Sequence, residues 1–258
     1  MPYVLTNKGK VLSTEEFFEI LMEFTIIFVG EDHDSGFSHE SELTILTVLS
    51  ERDSNLILAL EMFERDVQGT LDDYLKGTIP EDQFLEKASA WPNYASDYRP
   101  LVELAKGRGI PVIAANIPRK AAAAVAKGNK VSPKALGKDH VYLPATLHLD
   151  SQEYYERFAA TMNIMPHFSP MKGVNVKALF KAQVLKDAVM AASLEPYLEN
   201  RILFFCGHFH SDFHIGIPYQ LQKNHPELKV TVVTTSSSIE DVPMKDRSRM
   251  ADFIWLNE

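Results

Sequence analysis

Thr25-Ile-Ile-Phe-Val29 is a continuous run of β-branched and aromatic side chains that ends at Gly30 and hands over to Glu31-Asp32-His33. Side chains alternate sides along a strand, so a run that is apolar at every position predicts a strand buried on both faces. The pattern recurs in Asn55-Leu-Ile-Leu-Ala-Leu60, which stops at Glu61, and in Pro111-Val-Ile-Ala-Ala115, which stops at Asn116. Arg201-Ile-Leu-Phe-Phe-Cys206, Lys229 to Val233 and Phe253-Ile-Trp-Leu256 complete the set. Helical patterns lie between them. One is capped by Ser38 and reaches Ser50, and three shorter ones run from Val67 to Leu75, Glu81 to Ala88 and Tyr98 to Arg108. An alanine-rich helix follows Arg119, the longest pattern runs from Asn175 to Leu198, and another spans Pro218 to Asn224. This alternation predicts one α/β domain over residues 1–258, with a mostly parallel central sheet flanked by helices. Residues 129–170 break the rhythm and read as an irregular insertion or lid with one helix near Gln152 to Met162.

The chain has 258 residues, 35 acidic against 26 basic, and a net charge of −9. Nucleic acids and anionic membranes are gripped by clustered cations, so this balance argues against an electrostatic grip on either, and no nucleic-acid partner is expected. Cys206 is the only cysteine, which rules out an internal disulfide and a cysteine-based zinc knuckle. Its place in an apolar strand makes it core. Phe24 to Val29 is too short to span a bilayer and follows acidic residues rather than a basic leader region. A cytoplasmic location is therefore expected, unless a leader or lipid anchor has been removed.

Four strands end in polar residues: Glu31, Asp32 and His33; Glu61; Asn116 with Arg119; and Gly207-His208-Phe209-His210. Ligands of open parallel α/β sheets bind outside the carboxyl ends of the strands, so these clusters are expected to share one crevice. Glycine before each histidine cluster allows a close backbone approach. On the long helix, Val176, Phe180, Val184, Met190, Ala191 and Leu194 fall on one face, with Gln183 and Asp187 in its middle. A buried carboxylate needs a partner, so Asp187 is expected to meet a strand-end group or to support a metal ligand.

Imidazole and carboxylate from Glu31, His33, Glu61 and His210 suit zinc, manganese or iron, or a general base oriented by a carboxylate. His208, His210 and His214 form an H-x-H-x-x-x-H run. In the catalytic version Glu31 and His33 activate water, His210 and Glu61 bind metal or orient the base, and Arg119 or Asn116 stabilises developing charge. Asp32, Asp34, His39 and His214 read as solvated loop residues. Trp91, Tyr94 and Tyr98 are candidates for the wall of a pocket that takes a flat ligand. There is no G-x-S-x-G elbow, G-x-G-x-x-G turn or phosphate-binding G-x-x-x-x-G-K-[ST] loop, which excludes a serine hydrolase and leaves nicotinamide and nucleotide cofactors without their usual cradle.

Gly30-Glu31-Asp32-His33, Leu60-Glu61-Met62-Phe63, Tyr98-Arg99-Pro100-Leu101, Ala182-Gln183 with Asp187, Gly207-His208-Phe209-His210 and Ala251-Asp252-Phe253-Ile254-Trp255 resemble, in order and spacing, the ChaN family of haem-binding, iron-regulated lipoproteins. That family is grouped with Tiki-type metalloproteases and erythromycin esterases through two G-x-x-H motifs and an intervening glutamate, here Gly30 to His33, Glu61, and Gly207 to His210. The resemblance implies a haem-binding protein of haem or iron uptake. It implies haem held at a homodimer interface by a tyrosine with histidine support, and the candidates are Tyr154 and Tyr155 with His167. Cys206 is internal, so the family's lipid anchoring does not carry over. The alternative drawn from the strand-end residues is a metal-dependent or His/Glu-based hydrolase of an ester or amide.

Overall fold

The computed structural model describes residues 2–128, 130–164 and 175–257. Its sheet contains β1 (Tyr3–Thr6), β2 (Val11–Leu12), β3 (Ile26–Glu31), β4 (Leu56–Glu64), β5 (Val112–Asn116), β6 (Arg201–Gly207), β7 (Val230–Ser236) and β8 (Phe253–Leu256), in the order β2-β1-β8-β7-β3-β6-β4-β5. The six strands from β8 to β5 are mutually parallel, and β1 and β2 add an antiparallel edge. The expected mostly parallel α/β sheet is what forms. β6 enters late in the chain, yet it lies between β3 and β4. This places the ends of those three strands, with their acids and histidines, side by side.

Alternation along each strand sorts the core into two layers. Ile27, Val29, Leu58, Leu60, Leu203 and Phe205 face α1 (Thr14–Leu21), α2 (Gly36–Arg52), α3 (Gln68–Leu75), α4 (Glu81–Ala88) and α5 (Arg99–Arg108). Ile26, Phe28, Ile57, Ala59, Ile202 and Phe204 face the opposite way, toward α9 (Val176–Leu194) and α10 (Ile217–Asn224). Cys206 belongs to this second layer and is fully buried. On that side α6 (Arg119–Ala126) lays Ala121, Ala122 and Val125 against Ala182, Leu185 and Val189 of α9. Small side chains permit that close helix contact.

Within the irregular stretch, α7 (Pro133–Leu136) precedes α8 (Gln152–Ile164). α8 packs Tyr154 and Phe158 against Phe180, Val184 and Ile215. α11 (Arg247–Met250) is a single turn before β8. No described helix is long and apolar enough to cross a membrane.

Boundaries differ from the sequence reading where side chains compete for the cap. α2 starts earlier than Ser38: Ser35 accepts from the Ser38 amide at 3.3 Å, while the Ser38 hydroxyl pairs with Thr235 in the core at 2.9 Å. Such an N-cap is worth about 1 kcal/mol. β1, β2 and α1 lie in a segment where the sequence showed only acidic flanks. α1 opens on a capping box in which Ser13 accepts from the Glu16 amide at 3.2 Å and the Ser13 amide donates to Glu16 at 2.8 Å. β4 continues to Glu64 past a register shift between Leu60 and Glu64. A bulge there re-aims side chains, and Glu61 sits inside it.

Candidate functional site

Glu31, His33, Glu61, Asn116, Arg119, Gly207 and His210 line one crevice of about 520 Å³. The strand-end clusters therefore converge as their positions in the sheet require. Trp91 also lines the crevice, with its ring edge-on to His33 at 4.9 Å. Phe158, Thr161 and Met162 of α8 and Gln183 and Lys186 of α9 close the other side.

The first unit is built on the end of β3. His33 Nδ1 lies 2.7 Å from Glu31 Oε1, and the Tyr98 hydroxyl donates to the same oxygen at 2.9 Å. Burial pushes Glu31 up, but the bonds from His33 and His39 outweigh it and hold the carboxyl down at about 2. A carboxylate on Nδ1 orients the ring and leaves Nε2 beside the bare backbone of Gly207, another residue of the crevice wall. Burial alone would lower His33, whereas Glu31 and the charge of Glu61 raise it. Tyr98 is fully buried and supports Glu31 from behind, so of the aromatic candidates it is Trp91 that reaches the crevice.

The second unit is a relay. Tyr154 donates to Asp187 Oδ2 at 2.7 Å, Asp187 Oδ1 lies 2.5 Å from His210 Nδ1, and His210 Nε2 lies 3.1 Å from Glu61 Oε1. The Gly207 amide donates to the other Glu61 oxygen at 2.9 Å. Burial would lower His210, yet Glu61 and Asp187 together raise it to about 9. Glu61 is pushed up by burial and pulled down to about 2 by His210 and His33. In Asp187 burial wins and its carboxyl is raised despite His210. With both ring nitrogens engaged, His210 is a charged bridge and offers no free lone pair to an ion. Asp187 thus has the partner that its place on the helix face demanded, and Gln183 lies 3.3 Å from the same ring.

The glycines work by close approach. A Cβ on Gly207 would lie 2.7 Å from His33 Nε2, and one on Gly30 would lie 2.9 Å from Ser211 Oγ. His33 and the turn after β6 can therefore nest against bare backbone.

The H-x-H-x-x-x-H run does not assemble into one chelate. His208 turns Nδ1 to the Thr234 hydroxyl at 2.8 Å, and His214 Nε2 lies 3.4 Å from Asp252. Arg119 stands at the exposed rim, 3.3 Å from Glu64, and Asn116 is buried with an unpaired Oδ1. Asp32 and Asp34 are exposed, as read from the sequence, whereas His39 is buried between Glu31 and Glu42 and is no solvated loop residue. Sequence reasoning missed Glu42 and Lys186 as site residues; for both the available signal was helical phase. Tyr154 sits in the relay, and its neighbour Tyr155 is half-buried on a separate cavity with Phe180, Lys177 and Lys181. His167 lies outside the described residues.

The fold matches a solved ChaN of Campylobacter jejuni, described by its cofacial haem binding, with a TM-score of 0.81 and 21% identity over all of this chain and 97% of that one. A mutant of the erythromycin esterase EreC in its open conformation matches with a TM-score of 0.56 and 12% identity, over 98% of this chain and 97% of that one. RETICULATA-RELATED 5, a chloroplastic protein of Arabidopsis thaliana, is 22% identical over 254 residues that take in 92% of this chain. The chain spans about a third of that relative's length, 34% of it being covered. The pattern of the family described as haem-binding uptake, Tiki superfamily, ChaN, matches residues 17–221, and the chain belongs to that family.

Proposed function

We propose that this protein binds haem and serves haem or iron uptake, with Tyr155 as the iron ligand. Membership of the haem-binding family over residues 17–221 carries the reading. The two adjacent tyrosines fit the role differently. Tyr154 is buried with its hydroxyl committed to Asp187, and burial with that neighbouring carboxylate drives its ionisation far above the usual tyrosine range. Tyrosinate ligation needs the opposite. Tyr155 opens on a mixed cavity of about 520 Å³ lined also by Leu149, Phe180, Lys177 and Lys181, with Asp150, Ser151 and Gln152. Leu149 and Phe180 offer apolar contact to a porphyrin face, and the two ammonium groups suit its propionates. A homodimer in which two such cavities face each other would cover the second haem face.

Haemin titrated into the purified protein is expected to give a saturable Soret shift near one equivalent per chain. Tyr155→Phe should weaken binding by at least about tenfold, or 1.4 kcal/mol, while Tyr154→Phe leaves it near wild type. Wild-type affinity in Tyr155→Phe, or no saturable shift in the parent, would remove the assignment. Solution mass with and without haemin tests the dimer.

His33 supports a second reading, hydrolysis of an ester or amide. Its ring lines the crevice with Nδ1 bound by Glu31, the arrangement of an oriented general base. Asn116 and Arg119 line the same crevice and can stabilise developing negative charge. With p-nitrophenyl esters as probes, His33→Ala should cut turnover roughly 100-fold or more. Haem binding at Tyr155 should be unchanged in that variant. Turnover should also rise with pH as His33 loses its proton, since the base is the neutral ring. Equal turnover in parent and variant would leave the crevice without a catalytic base.

A further inference from the structure

We infer that Glu31, His39 and Glu42 form a buried divalent-cation site beneath the crevice, separate from its His33 and His210 face and independent of haem binding. One ligand atom from each of the three lies within 4.8 Å of the others, and all three residues are buried. His39 Nδ1 stands 3.1 Å from Glu31 Oε2 and 3.2 Å from Glu42 Oε2. Ligands held about 2.0–2.1 Å from a tetrahedral ion are separated by about 3.3 Å, so the spacing suits the edges of a coordination shell.

The far side of the imidazole fixes which nitrogen faces the carboxylates. Nε2 lies 3.1 Å from the His33 carbonyl oxygen, an atom that can only accept, so Nε2 carries a proton. Asp97 Oδ2 stands near the same nitrogen at 3.5 Å. Metal-binding histidines are oriented in this way, by an acceptor on the distal nitrogen. On the near side Nδ1 faces two carboxylates, donating to them while it holds its proton and open to an ion once the proton leaves. Glu31 Oε2 is buried, aimed at this point and without a properly aligned hydrogen-bond partner; Glu42 Oε1 is likewise buried and unpaired. Two carboxylates directed at one buried point need a positive charge between them, which the ring's proton supplies in the ion-free protein and a divalent ion would supply in its place.

The donors are one nitrogen and two carboxylate oxygens, which suits zinc, manganese or ferrous iron and disfavours soft-metal chemistry. Glu31 is shared between this site and the crevice: Oε1 holds His33 and Tyr98, and Oε2 faces the ion. The ion would fasten the first turns of α2 to the end of β3 and fix the carboxylate that orients His33. Burial of all three donors makes it structural rather than an open reacting centre.

The test uses the haem-free, chelator-treated 258-residue chain titrated with CoCl₂ and ZnCl₂, read by isothermal calorimetry, metal content after gel filtration and the Co²⁺ visible spectrum. The expected result is one equivalent per chain, a raised Tm on loading, and an apparent enthalpy that varies with the buffer because protons are released. Glu42→Gln and His39→Ala should lose binding at least tenfold, and His33→Ala should keep it. Circular dichroism checks the fold of each variant. Should both cluster variants fail to fold, stoichiometric Co²⁺ binding retained by His33→Ala still assigns the ion away from the crevice histidine. Overturning results are no stoichiometric ion in the parent, full affinity in Glu42→Gln, or loss in His33→Ala with retention in Glu42→Gln. None of these outcomes depends on the Soret titration, so the two proposals fail separately.

Discussion

Gly216→Ala is expected to lower the free energy of unfolding by about 3–5 kcal/mol, among the largest losses a single methyl can cause. Gly216 sits immediately before α10 at φ 68° and ψ −125°, a conformation open essentially to glycine alone. Its added Cβ would also overlap the backbone carbonyl oxygen of His210 and lie 2.9 Å from that carbonyl carbon. The obstacle is main chain, so no rotamer change relieves it. Relief requires the turn that carries the relay histidine to shift. Urea unfolding is the measurement, with Gly9→Ala as the comparison, since Gly9 has φ 78° but nothing within 4 Å of where its new methyl group would stand. Gly9→Ala should cost only about 1 kcal/mol. Equal losses in the two would mean that the contact with His210 contributes nothing.

His210→Ala should cost about 3–5 kcal/mol at pH 7.5, because it leaves Glu61 and Asp187 buried without their shared cation. The pH dependence separates this from lost packing. In the parent, Glu61 is held down at about 2, so its contribution is present above pH 4.5 and disappears as the pH falls toward 2. His210 is raised to about 9, so its contribution is whole below pH 6.5 and is lost as the pH rises through 9. Both shifts report one interaction, which is fullest between pH 4.5 and 6.5. The variant reverses the acidic slope: unpaired buried carboxylates bind protons in the folded state, so its stability should rise on going from pH 7.5 to 5. A deficit of the same size at both values would assign the loss to packing alone.

The sheet was legible because its strands are buried on both faces and so carry uninterrupted apolar runs. Periodicity along the longest helix also foretold that Asp187 would point inward and need a partner. The rest was hidden for physical reasons. β2 has two residues and β1 four, too few for any period to register. His39 and Glu42 lie three apart at the start of α2, where polar residues usually meet solvent, and only the approach of Glu31 from β3 makes that turn interior. Adjacent Tyr154 and Tyr155 looked equivalent in sequence. The helix turns them about 100° apart, which sends one hydroxyl into the relay and leaves the other at the rim of a cavity. The histidine run was a weak signal for a related reason: spacing in a loop fixes no geometry, and its three rings serve different acceptors or pairs.

The antiparallel pairing of β1 with β8, in the register Tyr3 to Leu256, has a consequence for how this unit can be joined to other chains. Cross-strand partners stand about 5 Å apart, so polypeptide enters and leaves the unit at one corner of the sheet. A host protein could accept it as an insert within a single surface loop without stretching either junction. Closing that corner with a short glycine-rich bridge and opening an exposed turn elsewhere would give a circular permutant with every strand still in place. Trimming β1 would have the opposite result, baring the backbone edge of β8 and inviting edge-to-edge association.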